Sequence, residues 1–79
     1  MTGKTAIQAC VEEELERYFS MLDGQAPRDL YRMVLSQVEQ SLISFVLEEC
    51  GNNQSRAAEY LGISRGTLRN KIAEQNIQT

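Results

Sequence analysis

Between Ser64 and Lys71 the chain reads SRGTLRNK, a run with three cations, no acid and one glycine. Such a set suits recognition of a polyanion. Arginine presents a planar fork of donors that matches paired acceptors, whereas lysine is a compact point charge. Other chemistry has poor material. The chain holds no histidine and only two cysteines, Cys10 and Cys50, far apart in sequence. Neither a zinc site nor a Cys–His nucleophile pair can be built from these residues. The carboxylates are scattered over solvent faces and form no acid–base constellation. The chain is therefore expected to be no enzyme and to hold no metal and no cofactor.

The cations of SRGTLRNK sit in an acidic chain of net charge −3. The charge is uneven. Residues 1–50 carry Lys4, Arg17, Arg28 and Arg32 against nine acids, leaving −5. Residues 51–79 carry Arg56, Arg65, Arg69 and Lys71 against Glu59 and Glu74, leaving +2. Such asymmetry points to nucleic-acid contact by the second half. The plain alternative is a solvated charged face. The acids from Glu12 to Glu16 read as solubility and as repulsion that keeps a duplex off the body of the protein.

The elements that must position these residues are helices. The β-branched alternation of strands is missing. A chain of 79 residues is one small domain, and a fold of that size often needs a staple, a metal or a partner subunit. With the first two absent, oligomerisation is favoured. The opening MTGKTAIQACVEEELERY lacks the apolar run of a signal peptide, and no stretch approaches the roughly 20 apolar residues of a membrane span. No membrane partner is expected, and the free cysteines suit a reducing cytoplasm. Cys10 and Cys50 read as small apolar core residues.

Helical spacing of Ile7, Val11, Leu15, Tyr18 and Leu22 predicts a first helix from about Thr5 to Leu22, stopped by Asp23-Gly24. A second helix is expected from near Pro27 to about Glu49, with Pro27 and Asp29 in its first turn. Leu30, Val34, Val38, Leu42, Phe45 and Val46 form its stripe. Tyr31, Met33 and Leu35 add apolar surface outside it. That rod is too long and too apolar to be covered by the first helix alone. Two chains are expected to pack these helices around a two-fold axis, with Val11, Leu15, Tyr18, Leu30, Val34, Val38, Leu42 and Phe45 in the dimer interface. Residues 1–50 are thus the expected dimerisation region, and residues 51–79 a separate functional unit within one structural domain.

CGNNQS breaks the rod. Asn53 or a neighbour caps a short helix through Leu61, Gly62 turns the chain, and Ser64 caps a last helix to about Gln75. Ala57 and Ala58 are small enough to let two helices approach closely. Small residues, a turn glycine and a short polar helix are what a helix-turn-helix requires. Its second helix would enter the major groove of DNA. At about 100° per residue, Leu68 and Ile72 define the buried side of that helix. Gly66, Asn70 and Ala73 point the opposite way as a thin ridge. Arg65 is the expected reader of a guanine edge, with Ser64 and Asn70 as further base contacts. Thr67, Arg69 and Lys71 flank the groove, where phosphates lie. Asn53, Gln54, Ser55 and Arg56 would hold another phosphate with help from backbone N–H groups. The alternative is a helical hairpin in a core whose cations are ordinary surface residues.

GNNQSRAAEYLGISRGTLRNKI closely resembles the carboxyl-terminal helix-turn-helix of the Fis family (factor for inversion stimulation), bacterial nucleoid-associated proteins. LDGQ, DLY, VEQSL, GNNQSRAA and LGISRGTLRNK follow in the family's order, and the likeness covers roughly residues 8 to 78. The resemblance implies an all-α fold: four helices per chain, an intertwined homodimer, and a C-terminal helix-turn-helix. It implies two recognition helices closer together than one turn of DNA, so that the duplex bends and is read partly through deformability. The implied function is transcriptional regulation at low sequence specificity. The implied partners are double-stranded DNA, a second copy and RNA polymerase, and the implied location is the nucleoid. Family DNA contacts fall on Asn53, Ser55, Arg56, Arg65, Thr67, Arg69 and Lys71.

The sequence departs from the family at several points. Ser64 stands in place of asparagine, Asn70 in place of lysine, and Ala73, Glu74 and Gln75 in place of a basic tail. Each lost cation weakens phosphate attraction. The family's amino-terminal β-hairpin arms are not expected in this chain. The same helix-turn-helix also closes enhancer-binding activators of the nitrogen-regulation type. The start at Met1 and the lack of a G-x-x-x-x-G-K-[ST] loop favour a small complete protein. A helical adaptor that binds only proteins is the remaining alternative.

Overall fold

The computed structural model describes residues 3–77. The outer bounds of the two expected regions, at residues 1 and 79, lie outside them. The described residues form four α-helices and no strands: α1 (Ala6–Met21), α2 (Leu30–Glu49), α3 (Gln54–Leu61) and α4 (Arg65–Gln75). The all-α class is as expected. The chain divides into two compact units between Leu30 and Tyr31.

The first unit is built on α1. Thr5 caps it through a capping box, in which its side chain accepts from the Gln8 N–H and the Gln8 side chain accepts from the Thr5 N–H. This pairing satisfies two of the donors a helix leaves open at its start. At the other end Asp23 and Gly24 take left-handed φ values of 55° and 85°, as DG predicts. Val11, Leu15 and Tyr18 are half-buried, and Phe19 packs edge-on against Tyr18. Cys10 is exposed, so its expected place in a core is not found. The side chain is a small thiol at a solvent-facing position of the helix.

The second unit holds α2, α3 and α4. The start of α2 differs from expectation. Pro27 and Asp29 lie outside the helix, which begins at Leu30. Asp29 has φ 56°, a left-handed conformation that cannot belong to a helical first turn. The core comprises Ile43 and Leu47 of α2, Cys50 just beyond it, Ala57 and Ala58 of α3, and Leu68 of α4. Val46, Leu61, Ile63, Ile72 and Ile77 pack against it. Cys50 therefore sits where a core cysteine was expected.

The α2 side of this core is not the stripe read from periodicity. Val38, Leu42 and Phe45 of that stripe are 43 %, 50 % and 64 % exposed, while Leu30 and Val34 are half-buried. Taking 100° per residue, the face of Ile43 and Leu47 lies roughly 150° around the helix from Val38, Leu42 and Phe45 of the stripe. So α2 has two apolar faces. One closes the core and the other has no partner within the second unit's own core.

Candidate nucleic-acid interface

Three helix ends fix the path of the chain through the second unit, and all three use the same device. After α2, Asn52 N–H donates to the Leu47 carbonyl and Gly51 N–H to that of Glu48. After α3, Ile63 donates to Ala58 and Gly62 to Glu59. After α4, Ile77 donates to Ile72 and Asn76 to Ala73. These are paired Schellman bonds around a left-handed residue. Gly51, Gly62 and Asn76 supply it, with φ of 61°, 76° and 55°.

The starts of α3 and α4 are capped by side chains. The Asn53 carboxamide oxygen accepts from the Arg56 N–H at 3.1 Å. The Ser64 hydroxyl accepts from the Thr67 N–H at 3.0 Å and donates to the Thr67 hydroxyl at 2.8 Å. Ser64 is thus committed to holding the helix start. Between the caps, Gly62 and Ile63 turn the chain. Ala57 and Leu68 are fully buried where α3 and α4 meet.

This packing orients α4. Leu68 faces inward, and Gly66, Asn70 and Ala73 are exposed on the opposite side. Arg65, Thr67 and Arg69 are exposed around that ridge. A Cβ built on Gly66 meets nothing within 4 Å. Among the described residues, no contact therefore requires a glycine at this helical position.

On α3, Ser55 and Arg56 are exposed and Gln54 is half-buried. The Arg56 guanidinium lies 5.9 Å from the centre of the Tyr60 ring and donates to its hydroxyl at 3.3 Å. Tyr60 escaped the sequence reading, although its spacing from Arg56, one helical turn, was the signal for it.

Lys71 is placed differently from the other cations. Its ammonium lies 3.0 Å from one carboxylate oxygen of Glu39, on α2. The Gln75 amide donates to the other oxygen, and the Gln40 amide donates to the Gln75 carbonyl at 3.3 Å. Hydrogen bonds from Lys71 and then Gln75 hold the Glu39 carboxyl below its ordinary range. Glu39, Gln40 and Gln75 were not anticipated. Among the described residues, no group of three or more His, Cys, Asp or Glu side chains gathers to hold a metal ion.

Two short helices joined by a tight turn, with small buried residues between them and a cationic outer face on the second, define a helix-turn-helix protein. The chain belongs to the Fis family of bacterial regulatory proteins, whose family model matches residues 34–74. It is a regulatory protein of that family and not an enzyme. It is 42 % identical over 75 residues to a Fis-like DNA-binding protein of Ralstonia nicotianae, covering 95 % of this chain and 97 % of the relative. A Fis-like DNA-binding protein of Neisseria meningitidis is 45 % identical over 71 residues, 90 % of each chain. The DNA-binding protein Fis of Proteus vulgaris is 48 % identical over 62 residues, 78 % of this chain and 67 % of the relative.

Proposed function

We propose that the chain works as a homodimer that binds and bends double-stranded DNA with low sequence specificity, regulating transcription and shaping the nucleoid in the cytoplasm. The observation that carries this reading is the outer face of α4, with cations flanking a ridge that Gly66 makes thin. The relatives' description as DNA-binding proteins supports it. Arg65, exposed in the first turn of α4, reads a guanine edge in the major groove, and Asn70 on the ridge adds a second base contact. Ser64 contributes through the cap it forms. Arg69, Thr67 and Arg56 hold phosphates, with Asn53, Gln54 and Ser55 at the start of α3. The dimer is supported by the exposed face of α2, where Tyr31, Leu35, Val38, Leu42 and Phe45 form one apolar band. Exposed apolar surface of this kind marks an association site. In this reading residues 1–50 serve dimerisation and residues 51–79 serve DNA, with α2 common to both.

The test is a titration of labelled duplex at several salt concentrations. Neutralising roughly six to eight phosphates per dimer gives log K against log salt a slope of about −5 to −7. Arg65→Ala is expected to weaken binding by about 1–3 kcal/mol. A slope near zero, or full binding by Arg65→Ala, refutes the reading and favours an adaptor for proteins.

Gly66 provides a sharper signature, because its two effects have opposite signs. Gly66→Ala is expected to raise stability by about 0.5–1 kcal/mol, since glycine is a poor helix residue and the added methyl meets open space. The same methyl stands on the ridge and is expected to lower DNA affinity about tenfold, or about 1.4 kcal/mol. Urea unfolding and the duplex titration, run on one preparation, check both signs.

A further inference from the structure

The DNA reading leaves one ion pair without a role. Lys4–Glu12 and Arg17–Glu14 are local to the start and body of the first helix, with side chains more than half exposed. Lys71–Glu39 instead joins α4 to α2 across 32 residues of sequence, and its side chains are only 32 % and 29 % exposed. An exposed pair contributes about 0–1 kcal/mol, partly because two long side chains must be ordered. Here α2 and α4 are already held together by Ile43, Leu47 and Leu68, so less ordering remains to be done. Both oxygens of Glu39 have a donor, Lys71 on one and Gln75 on the other. Removing Lys71 to a phosphate would leave a partly buried carboxylate short of its charged partner.

The rotation of α4 agrees. Taking Leu68 as zero and about 100° per residue, Lys71 lies roughly 60° away, on the buried side, while Arg69 lies about 100° away and Asn70 about 160°. Lys71 thus leans toward α2 where Arg69 leans toward solvent.

We propose that Glu39 is a positioning residue for the recognition helix, holding the far end of α4 on α2 through Lys71 and Gln75 and withholding Lys71 from DNA phosphates. This rests on the DNA-binding reading above. It leaves the neutralisation of duplex charge in each chain to Arg56 and Arg69 at phosphates and to Arg65 from its place on the guanine edge. A dimer then offers six cations, and its salt slope falls at the shallow end of the range, about −5.

Salt-dependent titration of a labelled A·T-centred duplex with Lys71→Gln, Glu39→Gln and the double variant tests the proposal, with far-UV circular dichroism confirming helicity. Lys71→Gln is expected to keep the wild-type slope. Glu39→Gln is expected to steepen it by about 2 per dimer, as two freed lysines each engage a phosphate, and adding Lys71→Gln is expected to restore it. Amide exchange of Ala73–Asn76 is expected to quicken in Glu39→Gln. If Lys71→Gln flattens the slope, or Glu39→Gln leaves slope or exchange unchanged, the proposal is overturned while the DNA reading stands. If Glu39→Gln loses its helicity, the Lys71→Gln slope decides alone. A wild-type chain that binds no duplex overturns both.

Discussion

Replacing Leu68 by alanine is expected to destabilise the second unit by about 2–5 kcal/mol. Leu68 is fully buried, and it is the one α4 side chain wholly inside the core. It belongs to a core of six buried residues, two of which are alanines. Alanines at a helix crossing cannot swell to fill the space that a lost leucine leaves, so the cavity cost adds to the transfer cost. A domain of this size has about 5–15 kcal/mol in total, so the loss is a large part of it. Urea denaturation followed by circular dichroism measures it. A shift below about 1 kcal/mol would show that α4 is held mainly by its polar ties to Glu39 and Gln40. DNA binding is expected to fall with stability, because the aim of Arg65 and Arg69 depends on the packing of α4 on this core, in which Leu68 is the wholly buried α4 side chain.

Leu42→Asp is expected to produce a monomer. Leu42 is 50 % exposed in the single chain and lies between Val38 and Phe45 on the unpartnered face of α2. A carboxylate there reaches water in the single chain, at a modest cost in helix propensity, but would be buried unpaired in a dimer, at several kcal/mol. Sedimentation velocity reads the change in mass. Sedimentation as the wild type would remove this face from the interface. Loss of the dimer is also expected to weaken binding to a two-site duplex by about 10²–10⁴, the gain that linking two reading heads provides. Its neighbour Ile43 makes the contrast. At 2 % exposure in the core, Ile43→Ala is expected to lower stability and leave the assembly state alone. Adjacent residues thus report on different faces of one helix.

Much of this was legible because it is local. Asn53 and Ser64 are small polar residues before apolar periodicity, and each caps the helix it precedes. Gly62 stands where only a left-handed residue continues the path. What was missed is less local. Pro27 and Asp29 looked like a helix start because proline and an acid favour first turns. The left-handed φ of Asp29 depends on the turn that precedes it, which no pattern of residue types encodes. The stripe on α2 was found, but a helix with two apolar faces offers two stripes, and periodicity does not say which is satisfied within the chain. Glu39 was invisible because its partners lie 32 and 36 residues away. A glutamate on a long helix reads as a solvated charge until α4 is laid beside it. Lys71, read only from the run SRGTLRNK, looked like Arg69. Its rotation toward Leu68 distinguishes them.

The two faces of α2 have a mechanical consequence. The helix runs from Leu30 to Glu49 without a glycine or a proline, about 30 Å of continuous hydrogen-bonded backbone. In the proposed dimer, one face grips the twin chain and the other carries the helix-turn-helix, with no hinge between them. The distance between the two reading heads is then set by a stiff strut. When a duplex does not match that distance, the softer body yields. DNA is curved smoothly over a site for about 1–6 kcal/mol, a cost that varies with base sequence. The protein would therefore act as a gauge of compliance, ranking sites by how little work they need to fit an unyielding frame.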